Sequence, residues 1–110
     1  TQGEFDISRA GWIGDYPDPF TFLDMMVTDR GNNKTGWSNS QLDEILKIAA
    51  SKISTKKRYE LYEKAEKILI DELPVIPLYT YTRTYLLSDR VKNWQNNTLD
   101  TNPYQFLSLE

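Results

Sequence analysis

Arg9-Ala10-Gly11-Trp12-Ile13-Gly14-Asp15-Tyr16-Pro17-Asp18-Pro19 is the stretch on which the reading of this chain turns. It packs two glycines, two prolines, two aromatics and two carboxylates into eleven residues. Before it, Phe5-Asp6-Ile7-Ser8 alternates apolar and polar residues and reads as the end of a short strand over residues 1–8. After it, Pro19-Phe20-Thr21-Phe22-Leu23-Asp24-Met25-Met26 reads as a helix start. Asp18 suits the N-cap, because its carboxylate can accept a first-turn N–H, and Pro19 suits the first helical position, where no N–H is needed. The stretch is thus a strand-to-helix loop of constrained backbone, and loops held by a scaffold are where binding groups concentrate.

Outward from the loop, residues 18–29 read as a helix with Phe22, Leu23 and Met26 on one face. Residues 28–36 are turn chemistry. Ser38 or Asn39 caps the next helix, and the spacing from Ser38 to Gln41 fits a capping box. That helix runs to about Ser51 and buries Leu42, Ile45, Leu46 and Ala49, with Trp37 packing beneath it. Ser54 caps a helix over Thr55–Glu72, whose apolar stripe is Leu61, Tyr62, Ala65, Ile68 and Leu69. Glu60–Lys64 and Glu63–Lys67 are spaced as i,i+4 pairs on its wet face, and Pro74 ends it.

Val75 to Leu87 is β-prone, with Pro77 near its start, where a strand tolerates it. Tyr79, Tyr81, Arg83 and Tyr85 alternate onto one face, and Leu78, Thr80, Thr82 and Thr84 onto the other. Neither face is cleanly apolar, which suits a strand bordering a cleft. Residues 88–103 read as polar loop, and Tyr104–Leu109 as a closing strand. Strands at both ends of a helical run make an α+β order, with too few strands for a full sheet.

Composition narrows the function. The 110 residues, 39% of them apolar, allow one modest domain with a small core. A net charge of −3 lacks the basic excess of a nucleic-acid surface. Cysteine and histidine are both absent, which removes disulfides, thiol chemistry, the commonest general base and the commonest zinc ligand. No apolar run is long enough to span a membrane. The start at Thr1-Gln2-Gly3, without a methionine, reads as a cut from a longer chain. Asp15 and Asp18 are the one candidate carboxylate pair for acid–base work. Asp18 is better explained as a cap, so no catalytic residue, metal ligand or cofactor is assigned. By its residues alone Asp15 is a turn aspartate accepting backbone N–H bonds, and Trp12 is as good a core plug as a binding wall.

The loop, as R-x-G-W-x-x-D-Y-x-D-P, resembles the signature of the solute-binding proteins of oligopeptide and dipeptide ABC importers, extracellular solute-binding family 5. The resemblance continues in Trp37-Ser38-Asn39 leading into Leu42–Leu46, in Arg58-Tyr59-Glu60-Leu61-Tyr62-Glu63-Lys64-Ala65-Glu66, and in Leu73-Pro74-Val75-Ile76-Pro77-Leu78-Tyr79. It implies an α+β fragment of a two-lobed periplasmic-binding-protein-like fold (type II, cluster C-like), with helices packed on a small mixed sheet. Residues 1–81 would belong to the ligand-closing C-terminal lobe, and 82–110 would cross back toward the N-terminal lobe.

The same resemblance implies an extracytoplasmic protein that captures peptides for the permease subunits of an ABC importer. It would touch the membrane only through a lipid anchor outside this segment. Asp15 would pair with the peptide's α-ammonium, and Trp12 would wall the site beside it. Ile13 would fill a slot that varies with ligand, Gly14 would allow a turn and close backbone approach, and Tyr79 and Tyr81 would stand on the hinge side. Arg9 could meet a carboxylate or an internal acid. Two rivals stay open: a relative specialised for a metal chelate or sugar, and a free-standing helical interaction domain. With its partner lobe missing, the isolated fragment is expected to self-associate or to leave its tail disordered.

Overall fold

The computed structural model describes residues 5–52, 54–97, 99 and 101–110. Its contacts divide into two compact units, Thr1–Ile76 and Pro77–Glu110. Residues 1–4 of the expected first strand lie outside the described residues, and residues 5–8 form no strand.

The first unit is helical. Helix α1, Phe20–Leu23, tightens at once into a 3-10 turn, Asp24–Met26. Val27 is extended and Asp29 sits at φ 58°, so the helix expected to reach residue 29 stops early. Helix α2, Ser40–Ala50, starts at Asn39, not at a Ser38 capping box. The Asn39 Oδ1 accepts the N–H groups of Gln41 (2.9 Å) and Leu42 (3.0 Å), which satisfies two donors left open at a helix start. Helix α3, Thr55–Glu72, has the expected bounds and ends at Leu73 in the left-handed region (φ 47°, ψ 51°), just before Pro74.

The core follows from the helical period. Leu42, Leu46 and Ala49 of α2 meet Tyr62 and Ala65 of α3, and Leu23 and Met26 join them. Phe20 leans on Tyr62 with ring centroids 6.2 Å apart. Trp37 packs against this cluster and donates its indole N–H to the Glu72 carboxylate (2.8 Å). Asn39 donates to the other oxygen of the same carboxylate (2.7 Å), so the start of α2 is clasped to the end of α3. Asn33 braces the intervening loop through the carbonyls of Met26, Val27 and Trp37. On the wet face Lys67 pairs with Asp71 (3.1 Å), the i+4 acid, and not with Glu63.

The second unit holds a two-stranded antiparallel sheet. Its strands are β1, Val91–Lys92, and β2, Ser108–Leu109, paired Val91 to Leu109 and Lys92 to Ser108. The sheet is therefore antiparallel where a mixed one was expected, while the α+β class stands. Residues 75–87, read as a strand, have no strand structure, since no described segment pairs with their backbone groups. A 3-10 turn, Tyr104–Phe106, replaces the first half of the expected closing strand. Tyr85 and Trp94 pack as tilted rings within this unit, with centroids 5.4 Å apart at 49°.

Candidate functional site

The Arg9–Pro19 loop has no helix or strand of its own, so something outside it must hold it. That role falls to Thr21, one residue into α1 and only 4% exposed. Its Oγ1 accepts the main-chain N–H of Asp15 (3.2 Å) and the indole N–H of Trp12 (3.4 Å). Its methyl closes the space at Gly14, where a Cβ would stand 3.2 Å from Thr21 Cγ2 and 3.3 Å from Phe22 Cζ. Gly14 is thus needed for close approach rather than for an unusual φ.

The two aspartates of the loop meet different fates. Asp18 is fully engaged: its Oδ1 caps the Phe20 N–H (3.0 Å) and its Oδ2 pairs with Arg58 Nη2 of α3 (2.9 Å). The Tyr62 phenol is influenced by the same carboxylate, through a hydrogen-bonding and a charge effect. Burial, then these two effects, push the Tyr62 phenol up to about 12. Burial and the charges of Asp24, Asp18 and Asp15 also raise the Tyr16 phenol. An open hollow of about 330 Å³ lies on this side of the loop, lined by Tyr16, Asp18, Phe20, Ala50, Arg58 and Tyr62.

Asp15 is exposed, and among the described residues its carboxylate has no hydrogen-bond or ion-pair partner. Its backbone is fixed while its charge is uncommitted. That arrangement suits an anion that receives a cation from outside the loop.

Of the residues named from sequence, Trp12, Gly14 and Asp15 are gathered by Thr21, and Ile13 projects from the same loop at 61% exposure. Tyr79 and Tyr81 lie in the second unit and pack edge to face, with centroids 4.9 Å apart at 72°. Thr21 and Arg58 were missed. A hydroxyl six residues beyond Asp15, inside a Phe-Thr-Phe-Leu run, was the available signal for Thr21. Arg58 gave none, because its partner is remote in sequence.

No family model matches the chain. It is 41% identical over 90 residues to the oligopeptide-binding protein OppA of Bacillus subtilis and 37% identical over 89 residues to the dipeptide-binding protein DppE of the same organism. This chain is homologous to one segment of each of these two proteins. Each alignment takes in 81% of the chain but 16% of the relative, so the chain spans about a sixth of the length of these curated relatives. Among solved structures it superposes on the murein tripeptide-binding protein MppA, in its unliganded open form, with a TM-score of 0.79 at 33% identity. That match covers 97% of this chain and 21% of the other. The α+β fold is therefore that of a periplasmic-binding-protein segment.

Proposed function

We propose that this chain is the C-terminal part of an extracytoplasmic solute-binding protein that captures peptides and passes them to an ABC importer. In this reading Asp15 holds the peptide's α-ammonium. The observation that carries it is the contrast within one loop: Asp18 is spent on the fold, while Asp15 has a fixed backbone and an uncommitted carboxylate. A cation taken out of water needs such a fixed anion, because an unpaired buried charge is very costly. The Trp12 indole, held by the same hydroxyl as Asp15, walls the site and offers a ring face to the ammonium.

Similarity to proteins named for oligopeptide and dipeptide binding supports peptides as the ligand class and binding, not catalysis, as the role. It favours this reading over the free-standing interaction domain. Residues 1–81 would then serve the ligand-closing lobe, with Tyr79 and Tyr81 toward the hinge, and 82–110 would return to the other lobe. Any membrane attachment would run through a lipid anchor elsewhere in the protein.

The test is a double-mutant cycle in the full-length protein: wild type and Asp15→Asn, each titrated with a free and an N-acetylated peptide. Breaking a desolvated charge pair costs about 2–5 kcal/mol, or roughly thirtyfold to several thousandfold in affinity. Asp15→Asn should lose that much with the free peptide and little with the acetylated one. A coupling energy near zero, with the variant folded, overturns the assignment.

A further inference from the structure

We infer that Thr21 is the positioning residue of this site: without touching the ligand, its hydroxyl sets where the Asp15 main chain and the Trp12 indole stand. The inference rests on the peptide reading for its ligand half only. A hydroxyl oxygen has two acceptor lone pairs, and Thr21 Oγ1 accepts from two N–H donors, one from each residue proposed to meet the ammonium. The side chain is 4% exposed, so water cannot readily replace it as acceptor. Its methyl meanwhile fills the space over Gly14, between the two tethered residues. One side chain at the start of α1 thereby converts the rigidity of a helix into the placement of a loop that has no regular structure.

The acceptor and the methyl separate by substitution. Thr21→Val keeps the shape and removes the acceptor. Thr21→Ser keeps the acceptor and removes the methyl. Thr21→Ala removes both without adding bulk, and carries the same expectation as Val should the valine variant fold poorly. On this chain, NMR-detected hydrogen exchange should show the Asp15 amide and the Trp12 indole N–H exchanging about tenfold faster in Thr21→Val. The core amides of Leu46 and Ala65 should be unchanged, and Thr21→Ser should restore the protection of both tethered groups.

In the full-length protein, Thr21→Val should weaken binding of a free-ammonium peptide about tenfold and of its acetylated form much less, with Thr21→Ser near wild type. Unchanged exchange in Thr21→Val overturns the positioning role whatever the ligand is. Faster exchange with unaltered peptide affinity, in a protein whose Asp15 cycle does show coupling, also overturns it. Faster exchange together with a null Asp15 cycle overturns the peptide reading instead, and leaves Thr21 as the brace of the loop.

Discussion

At Asp18 two donors from two helices converge, the Phe20 N–H of α1 and the Arg58 guanidinium of α3, and the Tyr62 phenol, one turn further along α3, feels the same carboxylate. The consequence is readable in pH. The Tyr62 phenol rises from an ordinary 10.0 to about 12 in the folded chain, with burial the largest cause and Asp18 the next. Below pH 10 both states hold the proton and the stabilisation is whole. Between pH 10 and 12 the unfolded chain gives its proton up first, so it binds fewer protons than the native state and stability falls as pH rises. The loss should reach about 2–3 kcal/mol, since each pKa unit is worth 1.36 kcal/mol. Urea unfolding from pH 9 to 12 should show wild type losing more stability than Tyr62→Phe by about that amount, and equal losses would refute it. The capping half of Asp18 was legible from the Asp-Pro pair that opens α1. Its pairing half was not, because Arg58 comes from another helix and a tertiary ion pair leaves no local pattern. Thr21 escaped for a related reason: a threonine in a helix's first turn looks like surface until its neighbours are placed.

Helices α2 and α3 were legible because eleven and eighteen residues are enough for an apolar period to declare itself. Elements of two to four residues were legible only in part, since α1 and β2 fall inside a helix and a strand read as longer than they are. Helix α1 gives way to a 3-10 turn after one turn, and β1 hides as Val91-Lys92 inside a polar stretch. The β-prone run from Val75 to Leu87 misled in the opposite direction, since β-propensity measures fit to a neighbouring strand and none of the described segments supplies one. The end of α3 carries a cost that sequence alone could not show. Leu73 takes the left-handed C-cap, at φ 47° and ψ 51°, where a residue with a Cβ is disfavoured by roughly 1–2 kcal/mol. It is 54% exposed, so little burial opposes its replacement. Glycine relieves the strain at some entropic cost to folding, leaving a net gain of about 1 kcal/mol. Leu73→Gly should therefore raise the thermal midpoint by roughly 4 °C. An unchanged or lower midpoint would mean that the left-handed turn is not strained.

Across the whole molecule the two units differ in what they bury. Every fully or nearly buried apolar side chain of the described residues falls between Leu23 and Ala65, inside the first unit. The second unit instead exposes Leu78, Leu86, Tyr104, Phe106 and Leu109, and Leu86 is exposed completely. Its sheet has two strands, so each strand has one hydrogen-bonding neighbour and one edge without a described strand beside it. Two-stranded sheets are marginal in water, and open edges flanked by apolar side chains recruit other chains. The helical unit has a buried core of its own, whereas among the described residues of the second unit no apolar side chain is buried. We therefore expect this chain in isolation to associate, with the association residing in residues 77–110. Light scattering over a concentration series should show the average mass of the full chain rising, while residues 1–76 alone stay monomeric and keep their helical circular dichroism. Leu86→Lys and Phe106→Lys should each lower the association without altering that helical signal, because neither belongs to the first unit's core. A full chain that stays monomeric at every concentration would show that its exposed apolar side chains are tolerated as they stand. Association that persists in residues 1–76 would place the sticky surface on the helices instead.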